Sequence, residues 1–364
     1  KQPHLRLSFS PFPPLPSPRF MEKVVEVRAR YDDACSPGST PSEKEAALLA
    51  AAAPPPQQSA GDADGGLRCT LSLPPLPREA KGPIYLAYEL TAFHQNHRRY
   101  VRSRSEAQLR GDDAFPSGGG KKKSSAAATT STCAPREMAP EAGAGAGAGG
   151  ESASGVMVPC GLVAWSNFND TFSLEAVVAV SSATGNATTS TTTTPLQLDA
   201  APLRSPADLR GRFSSRVFPS ASSFDSDPAT RGGGALSANT SLADAAALQV
   251  WMRPAALPSF RKPAGVVTAA AAVGEEVGAG EEGAWRPLSS LPAGAVVRVT
   301  VANRFNSYRY GGTKSVVLTN ASWLGGRNPF LGWAGVGVGG VCVAAAAALT
   351  LVAVAEAKKT KEEK

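Results

Sequence analysis

The chain is poor in the side chains that most often carry chemistry. It holds three histidines in 364 residues, and aromatic residues make up only 7%. Two of the histidines, His94 and His97, stand three apart in HQNH. A zinc protease helix needs HExxH, with four-residue spacing and a Glu as base, so this pair does not supply it. No GxSxG turn occurs, which removes the nucleophile elbow. GxGxxG appears at Gly145, Gly147, Gly150 and again at Gly335, Gly337, Gly340. The first copy lies in an alanine–glycine repeat with no strand before it, and the second lies in an apolar run, so neither has the context of a dinucleotide site. No CxxC pair is present, which argues against structural zinc. Nothing assembles a nucleophile, a base and an oxyanion hole. The sequence therefore predicts a binding protein rather than an enzyme, with no cofactor and no metal.

Charge is missing from one long stretch. Residues 331–355 read LGWAGVGVGGVCVAAAAALTLVAVA. At about 1.5 Å per residue this run reaches roughly 37 Å, enough to cross a hydrocarbon core of about 30 Å with some tilt. The bland alternative is a buried core helix, and the length and the basic stop behind the run argue against it. That stop is the tail 356–364, EAKKTKEEK, with Lys358, Lys359, Lys361 and Lys364. Lys and Arg favour the cytoplasmic side, so the tail is expected in the cytosol and residues 21–330 on the lumenal or extracellular side. Gly335 and Gly339 are four apart, and Gly340, Ala344 and Ala348 continue a parallel ridge. Small residues let a second helix approach closely in lipid. Composition bias is the competing explanation, since the whole chain is rich in Ala and Gly. Trp323, Phe330 and Trp333 fall at the interface level and are expected to anchor depth.

The first 20 residues are proline-rich and carry no apolar run. They read as neither signal peptide nor membrane helix. A lumenal domain must be translocated by something, so either the run at 331–355 is itself the insertion signal for the long domain before it, or a preceding hydrophobic segment is expected.

Lys plus Arg is 37 against 30 for Asp plus Glu, a net charge of +7. The excess is spread along the chain and fits solubility better than nucleic-acid binding. Of the five cysteines, Cys342 lies inside the apolar run. Cys35, Cys69, Cys133 and Cys160 fall on the side where disulfides form and persist. Four cysteines allow three pairings, of which neighbours in sequence are the simplest. Each such bridge contributes about 3–4 kcal/mol in the chain-entropy view. Sequons occur at Asn169, Asn186, Asn239 and Asn320, with Asn169 alone embedded in non-repetitive sequence.

Patterned blocks alternate with filler. Strands are expected near 22–35, 82–90, 174–180, 295–301 and 314–319, from alternating or β-branched runs. Residues 91–104 read as a short helix or turn with a basic face. Ranges 36–66, 111–158, 181–240 and 263–293 read as insertions, dominated by Ala, Gly, Pro, Ser and Thr. No helix is long enough for a crossover, so the strands are expected to be antiparallel.

The blocks GPIYLAYEL, FHQNHRRYVRSR, PCGLVAWSNFNDTF, WMRPAALPSFRK and GGTKSVVLTNASWLGGRNPFLG follow one another in this order. The series resembles the cell division control protein 50 / ligand-effect modulator 3 family and covers about half the chain. That resemblance implies a non-catalytic accessory (β) subunit of a type IV P-type ATPase, a lipid flippase. It implies an antiparallel β-sandwich-like ectodomain with disulfides and N-glycans, two membrane helices and cytosolic termini. It implies a heterodimer with the ATPase, contact with membrane lipids, and support for exit from the endoplasmic reticulum and for the pump's phosphorylation cycle. The compartments implied are the endoplasmic reticulum, Golgi, endosomes or plasma membrane. Cys133 and Cys160 match a family disulfide, Cys35 and Cys69 match another, and Asn169 matches a glycan position. The chain departs from the pattern in its missing first helix, its long biased insertions and the absence of a further cysteine pair near Cys35. A single-pass surface glycoprotein that binds an external ligand is the rival from another class. A lumenal hydrolase using His94 and His97 is a weaker one.

Overall fold

The computed structural model describes residues 24–52, 66–112, 131–136, 157–181, 189–206, 208–219, 233, 239–270, 285–320 and 329–362. In chain order its main elements begin with β1 (Glu26–Arg30), α1 (Pro41–Ala52), β2 (Leu67–Ser72), β3 (Ala80–Lys81) and β4 (Tyr85–Leu90). Three short helices follow: α2 (Arg98–Arg102), α3 (Glu106–Arg110) and α4 (Leu162–Trp165). Next come β5 (Thr171–Ser181), β6 (Thr189–Asp199), α5 (Ala246–Trp251) and β7 (Phe260–Ala269). The chain continues through β8 (Arg286–Pro287), β9 (Ser290–Leu291), β10 (Val296–Asn303), β11 (Lys314–Thr319) and α6 (Pro329–Glu362).

Eight strands hydrogen-bond in the order β1-β11-β4-β7-β6-β5-β10-β2, with β8 beside β7 and β3 paired to β9. Every ladder with a described register is antiparallel. β6 joins two halves of this sheet. Its Thr189–Leu196 part lies against β5, and Gln197, Leu198 and Asp199 lie against β7. One strand shared by the two halves gives the sandwich-like architecture that the family resemblance implies.

The burial pattern follows strand position. In β10 Val297, Val299 and Val301 are buried while Arg298 is exposed, the two-residue alternation of a strand with one wet face. In β4 and β11 both faces are covered, and Leu86, Leu90, Val316, Val317 and Leu318 are all buried. These interior strands read as continuous apolar runs.

Ordered elements also occupy stretches whose composition suggested insertion. α1 lies in 36–66. Thr40 accepts from the Glu43 backbone N–H at 3.3 Å, and Glu43 accepts from the Thr40 backbone N–H at 3.2 Å. This capping box has Pro41 at the first helical position. β6 lies in 181–240. Its threonines are β-branched and suit an extended backbone, and Thr194 and Leu196 are buried. β7 runs seven residues into 263–293, through Ala269.

The β elements from Val27 to Asn320 form one compact unit, and α6 belongs to a second. Within α6, Trp333–Ala355 is long and apolar enough to cross a membrane: 23 residues of mean hydropathy 2.3, with none of its most apolar window buried. The expected span of 331–355 thus starts inside the helix, and the helix continues into the basic tail as far as Glu362.

Candidate functional site: a polar seam, two disulfides and an uncovered helix

β1 and β2 are the two edges of the strand order. Open edges expose unpaired N–H and C=O groups, and a domain must cover or close them. Here Cys35, five residues past β1, is bonded to Cys69 within β2, with Cα atoms 5.2 Å apart. The bridge ties one edge of the sheet to the other.

A buried polar network completes this seam. Four strand ends meet there: Tyr31 and Asp32 after β1, Asp170 before β5, Asn303 at the end of β10 and Lys314 at the start of β11. The side chains of Lys314 and Asp170 are both fully buried and lie 2.8 Å apart. Asp170 accepts from the Tyr31 hydroxyl at 2.7 Å, and from the backbone N–H groups of Arg304 and Phe305 at 2.6 Å each. Lys314 donates to Asp170 Oδ2, to Phe305 O at 2.6 Å and to Asn303 Oδ1. All three ammonium protons therefore have acceptors, which is the condition a buried ion pair must meet to offset its desolvation. Burial pushes the Lys314 pKa down, and the Asp170 carboxylate opposes that shift. Burial first, then Asp170, holds the Tyr31 phenol well above its ordinary range. Around this pair Tyr308 donates to Asp32 O at 2.7 Å, and Asn303 Nδ2 donates to Ser36 at 3.0 Å. The polar chain thus runs to the residue next to Cys35.

The second bridge, Cys133–Cys160, has Cα atoms 5.6 Å apart and packs with Met157 and Trp165. Side chains of the α2–α3 segment bind its backbone. Gln108 donates to Met157 O at 2.6 Å and accepts from Cys160 N–H at 2.7 Å. Ser103 donates to Cys133 O at 3.0 Å and accepts from Leu162 N–H at 2.8 Å. Gly161 has φ of 100°, and a Cβ there would sit 2.1 Å from Ser103 O, so only glycine fits this crossing.

An aromatic cluster fills the same end of the domain. Trp251 is fully buried, donates from Nε1 to Val163 O at 2.9 Å, and contacts Phe93, Phe168, Phe260 and Phe305. Lys262 closes α5 beneath it. Its ammonium donates to Val250 O, Trp251 O and Arg253 O at 3.2, 2.6 and 2.8 Å. These are the last carbonyls of the helix and its exit, where a cation is favoured. Burial, with the Arg253 charge adding to it, pushes the Lys262 pKa down to about 7.

The sequons fall in different settings. Asn169 is half-buried in the turn before β5, Asn239 is exposed, and Asn320 donates to Lys81 O at 3.0 Å just past β11. Asn186 lies outside the described residues. Gly335, Gly339, Gly340 and Ala344 lie on α6, and a Cβ added at any of the three glycines meets nothing within 4 Å. Ala344 is exposed. Trp333 is also exposed on that helix, while Trp323 and the Phe330 side chain lie outside the described residues. His94 and His97 are both exposed in the turn before α2. Among the described residues no group of three or more His, Cys, Asp or Glu is placed to hold a metal ion. A cleft of about 520 Å³ between the end of β6 and the start of α5 is lined by Asn167, Asp199, Arg204 and Asp244 and brings no nucleophile to a base.

Sequence reasoning missed the seam. The signal available was a lysine opening an otherwise apolar strand, KSVVLT, and an acid inside the NFNDTF turn. A charge at such places needs a partner of opposite sign.

Comparison with known proteins decides the family. The family described as LEM3 (ligand-effect modulator 3) / CDC50 matches residues 19–359, nearly the whole chain. The chain belongs to the CDC50/LEM3 family. Among curated relatives, ALA-interacting subunit 3 of Arabidopsis thaliana is 32% identical over 321 residues, 88% of this chain and 70% of the relative. Cell cycle control protein 50B of Homo sapiens is 30% identical over 276 residues, 73% of this chain and 65% of the relative. Cell cycle control protein 50A of Bos taurus is 28% identical over 291 residues, 75% and 64% respectively. The CDC50/LEM3 match extends through both the stapled β unit and the apolar helix.

Proposed function

We propose that this chain is the non-catalytic accessory subunit of a type IV P-type ATPase that moves phospholipid from the exoplasmic to the cytosolic leaflet. The carrying observation is the CDC50/LEM3 match across residues 19–359. The plant relative is itself named as an interacting subunit. The physical parts support the reading. A domain closed by two disulfides and a saturated polar seam offers a rigid surface to a large partner. An apolar helix with no described neighbour over its small residues offers a close-packing face in lipid.

In this reading the β domain is lumenal or extracellular, the Lys-rich tail is cytosolic, and Asn169, Asn186, Asn239 and Asn320 are the glycan acceptors. The heterodimer forms before the pump leaves the endoplasmic reticulum and travels on to the Golgi, endosomes or plasma membrane. The chain contributes stability and conformation, and the ATPase contributes the chemistry. Purification of the tagged full chain in mild detergent tests this. A type IV P-type ATPase is expected in about equal amount, and protease protection of sealed vesicles is expected to shield the β domain. Recovery of the chain with an external ligand and without any ATPase overturns the reading in favour of a surface binding module.

A further inference from the structure

Where β6 changes partner, the sheet opens. Leu196 still pairs with Leu174 of β5, and Gln197 already pairs with Thr268 of β7. The two strands part at this point. The cleft of about 520 Å³ lies at the fork, between Asn167 before β5, the turn after β6 and the approach to α5. Sites for small organic molecules span about 300–1,000 Å³, so this volume suits such a ligand and is far more than a bare cation needs.

The walls are held from within. Asp199 Oδ1 accepts from the Ala201 N–H at 2.8 Å. Arg204 ties two walls together, donating from Nε to Ala201 O and from Nη1 to Ala243 O, both at 3.2 Å. Ser241 donates to Asp244 Oδ2 at 2.6 Å, and Gln249 Nε2 donates to Leu242 O and Ala243 O at 2.8 Å each. A ligand therefore meets polar groups already in place, which spares the cost of ordering them.

In this cleft acceptors outnumber donors. Asp199 is exposed and forms no ion pair among the described residues. Asp244 is exposed too, and its Oδ1 stands 3.8 Å from Arg204 Nη1, beyond hydrogen-bond reach. Arg204 already spends two donors on backbone carbonyls. Asn167 adds an independent sign. It lines the cleft, it is only 7% exposed, and its Oδ1 is buried with no described hydrogen-bond partner. A buried acceptor in that state costs free energy until a donor reaches it. Two carboxylates against one guanidinium also leave the cleft with an excess of negative charge. The missing partner is a cation that carries several N–H donors.

The rest of the lining narrows the class. Ala200, Ala201, the alanines at 245–247 and Leu248 give a short aliphatic surface, and no aromatic ring stands among the described lining residues. Quaternary ammonium groups are recognised by aromatic faces. A primary ammonium has three donors and suits carboxylate and amide oxygens.

The geometry points to this cleft as a binding site for a small primary amine. Asp199 and Asp244 supply the counter-charge, and a turn of the Asn167 amide gives its Oδ1 a donor from the ligand. The alanines take a short carbon stem. An ethanolamine unit has this chemistry, whether free in solution or as the headgroup of a lipid.

The test titrates ethanolamine into the purified full chain in detergent at matched ionic strength, read by calorimetry and by the thermal midpoint. One charged group with three hydrogen bonds in an open cleft predicts a dissociation constant on the order of 1 mM and a midpoint that rises with ligand concentration. Asp199→Asn keeps an acceptor for the Ala201 N–H and removes the charge, so it should weaken binding about tenfold and leave the ligand-free midpoint unchanged. Should that midpoint shift, Asp244→Asn, which keeps an acceptor for Ser241, carries the comparison. Choline, a cation without N–H donors, should bind about tenfold more weakly than ethanolamine. Dihexanoyl phosphatidylethanolamine separates the two sources. Tighter binding than ethanolamine assigns the amine to a lipid headgroup, weaker binding assigns it to a free small molecule, and both support the site. No binding of either amine, equal binding of choline, or equal binding by the folded aspartate variant overturns the inference. Displacement of ethanolamine by calcium ion makes the cleft a metal site and also overturns it. None of these readings involves the ATPase, so the accessory-subunit reading stands or falls separately.

Discussion

The β domain and α6 solve opposite problems. In the domain even the most costly groups, Lys314 and Asp170, have every hydrogen bond filled from within. In α6 the glycines at 335, 337, 339 and 340 meet nothing, and Val338, Val341 and Val343 are largely exposed. The domain carries its own stability. The helix has its backbone hydrogen bonds and one from the Thr350 hydroxyl to Ala347 O at 2.8 Å, and depends on lipid or a second helix for the rest. A substitution should therefore read out as lost folding in one region and as lost assembly in the other.

The sharpest break of that contrast is at the seam. Removing one member of a buried ion pair leaves the other charge uncompensated, so Lys314→Met and Asp170→Asn each cost about 3–5 kcal/mol. Thermal and chemical unfolding of the full chain in detergent measures this. The double variant is expected to cost clearly less than the sum, because the two side chains act as a unit. Strict additivity would show that the two side chains are not coupled.

The next effect depends on pH. Lys262 titrates at about 7 in the folded chain against 10.5 when free. Between those values the unfolded chain binds more protons, so stability rises with pH across that window. Below about 7 both states are protonated and the slope from this group vanishes. Lys262→Met should flatten the rise, read from unfolding midpoints at a series of pH values. A wild-type profile already flat from neutral to alkaline pH would mean that the three carbonyls hold the proton against burial.

A smaller effect is expected at α1. Thr40→Ala removes the cap on the Glu43 N–H and should cost about 1 kcal/mol. Glu45 of that helix accepts from Asn306 at 2.8 Å, and Leu48 is buried, so the helix is bound to the domain rather than hanging from it. The loss should appear in the same cooperative unfolding transition as the seam variants. A separate early transition would show that α1 melts by itself.

These sites also show what the sequence made legible. β4, β10 and β11 announced themselves because Tyr85–Leu90, Val296–Asn303 and Lys314–Thr319 are β-rich runs bounded by turn residues. The apolar run within α6 was legible from its length and lack of charge. α1 and β6 were hidden by composition, since an alanine run and a threonine run resemble filler. Their signals were local: Thr40–Pro41–Ser42–Glu43 as a capping box, and Thr189–Asp199 as an unbroken β-branched series entering PLQL. The seam was hidden for a different reason. Asp32, Asp170, Asn303 and Lys314 are up to 282 residues apart, and only the sheet order brings them together. The lone charges in KSVVLT and NFNDTF called for partners, but which distant strands supply them cannot be read from a single sequence.

The smallest effect on folding is expected where the effect on assembly is large. Gly335→Leu and Gly339→Leu add side chains where nothing stands within 4 Å, so no clash arises in the chain by itself. Leucine is also the better helix former, by roughly 0.5–1 kcal/mol per site relative to glycine. The unfolding midpoint of the β domain should stay unchanged. Helix packing in lipid depends on close backbone approach at small residues, so the same two changes should remove most of the co-purifying ATPase. Full recovery with both leucines present would make the glycines a matter of composition and move the whole burden of assembly to the β domain. Loss of recovery with an unchanged midpoint would instead place the two functions, folding and assembly, in separate parts of one chain.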